Sequence, residues 1–194
     1  MRNAAAFLLL VFALLAPAAR PQSGPERGGN EMQVWTGGGH GLSGSTSDTG
    51  VWNVGMRYGW VLTNPHGPGF LRGRFEYAVD VVPIFPVFQP TGMAYGFGLN
   101  PLGLKWNLDL GRRIIPYVEL GGGTLFTNHE VPAGTSQVNF TSGGAFGMHF
   151  LRGKYNWSVE VRYMHISNAG LSTPNPGINT FQVRLGIGRF SRAH

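Results

Sequence analysis

The stretch LRGRFEYAVDV, residues 71–81, alternates between two kinds of side chain and decides the fold class. One set of alternate positions is apolar: Leu71, Phe75, Tyr77, Val79 and Val81. The other set is charged: Arg72, Arg74, Glu76 and Asp80. Because a β-strand sends successive side chains to opposite faces, this period of two predicts a strand with one apolar and one charged face.

The same alternation recurs along the chain and predicts eight strands. In one of them, Trp157, Val159, Val161 and Tyr163 alternate with Ser158, Glu160 and Arg162. The predicted segments are approximately 31–38, 50–63, 69–82, 94–110, 114–126, 137–150, 155–168 and 179–190. An even number of antiparallel strands with apolar outward and polar inward faces is the pattern of a membrane barrel. We therefore predict an all-β fold, an eight-stranded antiparallel transmembrane β-barrel of the outer-membrane type.

A soluble sandwich or lipocalin would bury the apolar face instead, and alternation alone does not distinguish the two. Three features favour the membrane barrel. The polar face carries charge on nearly every strand, the N-terminus resembles an export signal, and the last strand ends with the aromatic Phe190. Charged residues make up only 12% of the chain, against about 25% in soluble domains. Eight strands leave room only for side chains, so the charged interior predicts a packed ion-pair network rather than a channel.

The N-terminal segment has the composition of a secretory signal. Arg2 supplies a positive start, an apolar run spans residues 4–15, and small residues follow at 16–19. The apolar run is shorter than the roughly 20 residues that a membrane-spanning helix needs. We predict a signal peptide at 1–19, a flexible leader at 20–30 and a single barrel domain at 31–194.

Composition also limits the partners and cofactors. The chain has no cysteine, which excludes disulfides, thiol catalysis and thiolate metal sites. The net charge of +6 favours an anionic membrane surface as partner, and no nucleic acid is expected because no basic cluster is interleaved with aromatics. His40, His129 and His149 lack ligand spacing, so no metal site is expected. The sequence leaves open whether the chain forms a homodimer.

The predicted connections alternate in length. Those near 64–69, 111–113 and 151–154 are short, and those near 39–49, 83–93, 127–136 and 169–178 are longer. Outer-membrane barrels have short periplasmic turns and long outer loops. The longer set is therefore predicted at the cell exterior, level with the outer leaflet.

Three polar residues are predicted on the lipid face at this outer end. His165 and Ser167 share the parity of Trp157, and Asn179 begins the next strand with outward parity. Side chains two residues apart on a strand are about 7 Å apart at Cα, a gap that side chains can close, so the imidazole could take the serine proton. Three interfacial residues that contact lipid head groups are the alternative interpretation.

Two further stretches accompany these residues and together resemble one family. The runs HISNAGL at 165–171 and NPGI at 175–178 look like the signature of the outer-membrane lipid A 3-O-deacylases of the PagL type. The runs YGFGLNPLGLK at 95–105 and PYVE at 116–119 are also similar to that family. The resemblance extends from about residue 52 to residue 190.

The resemblance implies a barrel that hydrolyses the ester at the 3-position of lipid A with no cofactor. His165 matches the family's histidine and Ser167 its nucleophile. The positions around the tetrahedral intermediate are matched by Asn168, Gly170 and Asn175. Asn179 stands where the family typically has a glutamate, and an amide can orient an imidazole without offsetting its positive charge.

Two functions therefore stay open on the sequence. The first is a lipid A deacylase that acts through His165, Ser167 and Asn179. The second is a catalytically weak or inactive barrel with a structural or lipopolysaccharide-binding role, because the acid is missing. Glu160 is directed inward by its parity, and Glu130, on an outer loop, is the remaining acid that could approach the histidine.

Overall fold

A computed structural model describes residues 24–42, 46–111 and 113–192. The signal peptide predicted at 1–19 lies outside these residues. Residues 24–29, within the predicted leader, lie against one end of the molecule, where the Gly28 N–H donates to the Val61 carbonyl at 2.8 Å. Across the described residues, no helix has the length and apolarity to cross a membrane.

Eight long antiparallel strands form a closed barrel, as the alternation predicted. Their bounds are β1 Asn30–Gly41, β2 Gly50–Val61, β3 Gly73–Ile84, β6 Gly96–Leu108, β7 Ile114–Thr127, β8 Val138–Arg152, β9 Tyr155–Ser167 and β10 Ile178–Phe190. β1 pairs with both β2 and β10, and this pairing closes the sheet. Two short strands, β4 Val87–Gln89 and β5 Gly92–Ala94, form a hairpin that pairs with the start of β2.

The predicted faces are confirmed along the strands. On β9 the outward side chains are exposed: Trp157, Val159, Val161 and Tyr163. The inward side chains between them are buried: Ser158, Glu160 and Arg162. The alternation therefore separates a lipid-facing wall from a closed lumen.

The third strand begins later than predicted. Residues Gly69–Leu71 form a 3-10 turn, and β3 starts at Gly73. Pro68 cannot donate to a sheet ladder, and Gly67 and Gly69 adopt positive φ, so the chain turns here instead of extending. The connection 62–72 is therefore long, and the predicted strict alternation of connection lengths is wrong at this point. Arg72, predicted inside, lies before the strand with its side chain 53% exposed.

The middle of the lumen is filled by a network of buried ion pairs centred on Arg57. Its guanidinium donates to Asp80 at 2.8 and 2.9 Å and to Glu119 at 2.6 and 2.8 Å. Arg162 then bridges Glu119 at 2.6 Å and Glu160 at 2.7 Å. The predicted packed network is confirmed, since each inward charge faces an opposite one.

A second polar cluster fills the lumen toward the chain termini. Lys105 lies 2.6 Å from Glu31, which also accepts a hydrogen bond from Asn156 at 3.0 Å. His149 is buried here with its ring stacked on Tyr117 at 4.5 Å between centroids.

The opposite end of the barrel carries the connections 42–49, 85–95, 128–137 and 168–177, and is called the four-loop end below. There uncharged side chains replace the charged ones at the inward positions. The side chains that pack together at this end include Val82, Phe85, Leu125, Val131, Met164, Ile166 and Ile178. The lumen is therefore closed by an apolar cluster directly under the four loops.

Replacing Arg57 by methionine will test the ion network. Arg57→Met leaves Asp80 and Glu119 buried without their main partner, and we expect a loss of about 3–5 kcal/mol in the free energy of unfolding. Urea unfolding of the barrel refolded in lipid vesicles measures this value. The control is Arg113→Met, an exposed position in a turn, for which we expect a change within about 0.5 kcal/mol. Equal stability of the two variants would contradict the prediction.

Candidate active site

His165, Ser167 and Asn179 lie on the outer wall of the barrel at its four-loop end. β9 carries His165 and Ser167 at its last two outward positions, and β10 carries Asn179 at its first. The register places Asn179 directly across the ladder from His165. All three residues are half-buried, whereas the residues between them on the strands are buried. The structure thus brings the histidine and the asparagine together, with the serine on the same face.

A hydrogen bond between His165 and Asn179 determines which imidazole nitrogen carries the proton. His165 Nδ1 lies 2.7 Å from Asn179 Oδ1. Because an amide oxygen only accepts hydrogen bonds, Nδ1 must be the donor. The neutral ring then keeps its lone pair on Nε2, which is the form that a general base requires.

Tyr163 is a third member of this hydrogen-bonded group. Its hydroxyl donates to Asn179 Oδ1 at 2.6 Å, so the amide oxygen receives two hydrogen bonds. Tyr163 was predicted only as one of the apolar outward positions of the strand. Its spacing of two residues from His165 was the signal that could have identified it, because i and i+2 share a strand face.

Ser167 points in the same outward direction as His165, but its side chain is less constrained by its neighbours. Within the described part of the chain its hydroxyl makes no hydrogen bond, and Phe140 of β8 lies opposite it. Hydrogen bonds between catalytic groups are often long in substrate-free enzymes and shorten when the substrate binds. The serine is therefore accessible from the lipid side without being held by a protein partner.

A second hydroxyl, that of Ser142, lies beside the histidine on its other side. Ser142 is exposed on β8 and pairs directly with His165 across the β8–β9 ladder. Directly opposite residues have Cβ atoms about 4.5–5.5 Å apart. Ser142 was not predicted as a site residue, because its position beside the histidine depends on the register between two strands. The imidazole thus lies between two serines, of which only Ser167 was predicted.

Gly177 packs against the imidazole and leaves no room for a side chain. It has a φ of +68°, and a Cβ at this position would lie 2.7 Å from His165 Cε1. The residue belongs to the run NPGI noted in the sequence, but its contact with the histidine was not predicted. This glycine therefore helps to define the position of the ring.

The loop 168–177 is held by Asn168. This residue is 1% exposed; its amide donates to Ser172 Oγ at 2.8 Å, and its Oδ1 accepts from the Gly170 N–H at 2.8 Å. Its own N–H donates to Asn175 Oδ1 at 3.1 Å. Asn168 and Gly170 therefore use these groups to shape the loop. The Asn175 side chain is exposed, and its amide donor makes no hydrogen bond among the described residues.

A rigid apolar layer supports the site from inside the barrel. Met164 and Ile166 alternate with the site residues on β9, and Ile178 precedes Asn179 on β10. All three are buried in the apolar cluster of the four-loop end. Since packed side chains fix the backbone on both strands, the outward residues are held in a defined geometry.

The other acidic residues considered from the sequence are engaged elsewhere. Glu160 faces the lumen and accepts from Arg162 at 2.7 Å, as its parity predicted. Glu130 accepts from the Gly134 N–H at 3.1 Å within the loop 128–137. In the described ranges, no hydrogen bond or ion pair joins either acid to His165, and no cluster of three or more histidines and acids could hold a metal ion.

Comparison with known proteins identifies the family. A family model described as Lipid A 3-O-deacylase (PagL) matches residues 52–188, well over half of the chain. The chain belongs to this family. One relative, the lipid A deacylase PagL of Pseudomonas aeruginosa, is 29% identical over 138 residues, covering 70% of this chain. The matched part spans only 62% of that relative's length.

Solved structures support the fold. The crystal structure of the outer membrane enzyme PagL aligns with a TM-score of 0.61 at 22% identity, covering 79% of this chain and 97% of that one. The outer membrane protein OprG of Pseudomonas aeruginosa aligns with a TM-score of 0.55 at 13% identity, covering 87% and 98%. An enzyme, PagL, and a second outer membrane protein, OprG, share the barrel, so the fold by itself does not decide the activity.

The PagL family match includes the whole of the site described above. Residues 52–188 contain Tyr163, His165, Ser167, Gly177 and Asn179. The site therefore lies in the part of the chain that matches the family model.

Adding a methyl group at Gly177 will displace the imidazole. In Gly177→Ala the new Cβ collides with Cε1, so we expect the ring signals of His165 to shift in spectra of the barrel labelled with ¹⁵N-histidine. His165→Gln assigns these signals. The matched control is Gly134→Ala, which has a similar positive φ of +81° but open space around the new atom. Unchanged His165 signals in Gly177→Ala would show that the ring does not pack on this glycine.

Proposed function

We propose that this chain is an outer-membrane ester hydrolase that removes the ester-linked 3-O acyl chain of lipid A. The observation that carries the proposal is the 2.7 Å bond from His165 Nδ1 to Asn179 Oδ1 on the lipid-facing wall. It leaves Nε2 as a free base on the face that also carries Ser167. Membership in the PagL family supports lipid A as the substrate, as does the likeness to the lipid A deacylase of Pseudomonas aeruginosa.

The position of the site agrees with a lipid substrate. Outer-membrane barrels carry their long loops at the cell surface, so we assign the four-loop end to the exterior. His165 and Ser167 then lie level with the outer leaflet and face the surrounding lipid. The substrate reaches them by lateral diffusion in the membrane, and the lumen, which is filled by ion pairs, takes no part.

The first half of the reaction transfers the acyl chain to the enzyme. His165 Nε2 removes the proton from the Ser167 hydroxyl, and Oγ attacks the carbonyl carbon of the 3-O ester. The resulting tetrahedral intermediate carries a negative oxygen. Its collapse breaks the bond between the carbonyl carbon and the sugar oxygen, and imidazolium returns its proton to that oxygen. The acyl chain is then esterified to Ser167.

The second half releases the fatty acid. His165 takes a proton from water, and the hydroxide attacks the acyl-enzyme carbonyl. Collapse of this second intermediate returns the proton to Ser167 Oγ and leaves the free acid. The reaction consumes one water molecule and needs no metal or organic cofactor.

The loop 168–177 provides a donor for the tetrahedral oxygen. The side-chain amide of Asn175 is exposed and free to donate, whereas the groups of Asn168 and Gly170 described above are used within the loop. We therefore assign oxyanion stabilisation to Asn175 and assign Asn168 and Gly170 to holding the loop in shape.

A non-catalytic barrel that binds lipopolysaccharide or has a structural role is the second candidate. The observation that favours it is the amide at position 179, which orients the imidazole but cannot offset the charge of imidazolium. On this alternative the polar wall would contact head groups without hydrolysing them.

Replacing Ser167 by alanine will abolish deacylation, because no oxygen nucleophile remains at that position. Mass spectrometry of lipid A incubated with the refolded barrel will show loss of one hydroxyacyl chain for the parent and no loss for Ser167→Ala. Ser142→Ala is the matched control, since it removes the other hydroxyl beside His165. We expect this variant to retain most of the activity.

The pattern of losses assigns the nucleophile. Activity that persists in Ser167→Ala and disappears in Ser142→Ala would contradict the proposal and show that Ser142 is the nucleophile. Unchanged lipid A in all samples, with the barrel folded, would favour the non-catalytic barrel.

Introducing the family's acid at position 179 will raise the turnover. In Asn179→Glu a carboxylate can offset the imidazolium charge that develops in the transition state, and we expect kcat to increase about tenfold or more. Initial rates of fatty-acid release from lipid A in detergent micelles measure the change. The reference is Asn179→Ala, which removes the orienting group and should lower kcat. A lower kcat in Asn179→Glu than in the parent would contradict this account of position 179.

A further inference from the structure

We propose that Tyr163 is a positioning residue that makes an asparagine usable as the third member of this site. Its hydroxyl donates to Asn179 Oδ1 and thereby keeps the amide oxygen, rather than the amide nitrogen, turned toward His165. Among the described residues, the Tyr163 hydroxyl bonds to Asn179 and to neither His165 nor Ser167, so its effect on the histidine passes through the amide. The inference rests on the proposed function for its kinetic consequence, although the orientation of the amide can be measured separately.

Such a residue is needed because the two ends of an amide group have opposite roles: the oxygen accepts hydrogen bonds and the nitrogen donates them. With the oxygen toward His165, Nδ1 carries the proton and Nε2 is a base. With the nitrogen toward His165, the amide donates, Nδ1 accepts, and the ring proton moves to Nε2. That second tautomer cannot remove a proton from a serine. Substituting Asn for the acid in a serine protease lowers turnover about 10⁴-fold for this reason.

The structure places Tyr163 where it can select the first orientation. Tyr163 and His165 leave the same face of β9 two residues apart, and Asn179 lies opposite His165. The amide oxygen therefore lies between two donors, at 2.6 Å from the phenol oxygen and 2.7 Å from Nδ1. Both donors are satisfied by one acceptor.

The reversed amide would leave a proton without a partner. Its nitrogen would donate to the phenol oxygen and to Nδ1, and the phenol proton would need another acceptor. Within the described residues the only hydrogen bond of the Tyr163 hydroxyl is the one to Asn179. On a wall that faces lipid, an unpaired hydroxyl proton is costly, so the reversed orientation is disfavoured.

A carboxylate would not need this help, and this difference makes the proposal testable. Both oxygens of a glutamate accept, so neither orientation gives the wrong tautomer. The hydroxyl of Tyr163 also draws electron density from Oδ1, which weakens its bond to His165. Its contribution therefore lies in orientation, and it should matter with Asn179 and lose its importance with glutamate.

The kinetic test is a double-mutant cycle on lipid A deacylation. Tyr163→Phe should lower kcat about tenfold in the parent, with little change in KM, because the loss of one hydrogen bond frees the amide to turn. The same change in the Asn179→Glu background should alter kcat less than twofold. Tyr58→Phe, at another outward tyrosine, is the matched control and should leave both backgrounds unchanged. Equal losses from Tyr163→Phe in the two backgrounds, or no loss in the parent, overturn the proposal.

A spectroscopic test separates this proposal from the proposed function. The ¹⁵N signals of the His165 ring, recorded at a pH where the ring is neutral, report which nitrogen is protonated. We expect the Nδ1–H form in the parent and growth of the Nε2–H form in Tyr163→Phe. If the tautomer shifts while the parent leaves lipid A intact, the positioning role stands and the deacylase proposal fails. An unchanged tautomer overturns the positioning role, whatever the activity.

Discussion

A chain segment that crosses a membrane must pair every backbone N–H and C=O within the protein, and the rest of this structure depends on that requirement. β1 meets it by pairing with β2 on one side and with β10 on the other, so among the described residues the sheet of eight long strands has no open edge. Closure gives each strand one lipid-facing and one inward face. An interior enclosed by eight strands holds only side chains, so its polar residues must pair with one another.

The interior is divided, and this division supports the site. Arg57 and its partners fill the middle of the lumen with ion pairs, whereas Met164, Ile166 and Ile178 form part of an apolar cluster at the four-loop end. Each apolar residue of this group is adjacent in the chain to a site residue on the outer wall. A polar outer site therefore has a dry, close-packed layer behind it, which keeps the two strands in place without competing for hydrogen bonds.

The chemistry of the proposed site depends on an amide at the position where a catalytic serine–histidine group usually has an acid. The amide oxygen of Asn179 fixes the ring tautomer through a 2.7 Å bond, which is one of the two functions of a carboxylate in such a group. It does not supply the other, which is a negative charge beside imidazolium. A tyrosine that also donates to this oxygen turns an ambiguous side chain into a defined acceptor. Orienting the imidazole and compensating the positive charge of imidazolium are thus separable contributions to catalysis at the proposed site.

Alternation in the sequence determined the eight strands and their two faces, and it assigned His165, Ser167 and Asn179 to the apolar face, because residues of the same parity share a face of a strand. Only the tertiary structure decided which further residues lie next to the histidine. The pairing of His165 with Ser142 and its contact with Gly177 depend on strand register and loop path, and the shared acceptor of Tyr163 depends on the β9–β10 ladder. The late start of β3 followed from a local turn. Register is a property of two segments at once, so a pattern within one strand cannot specify it.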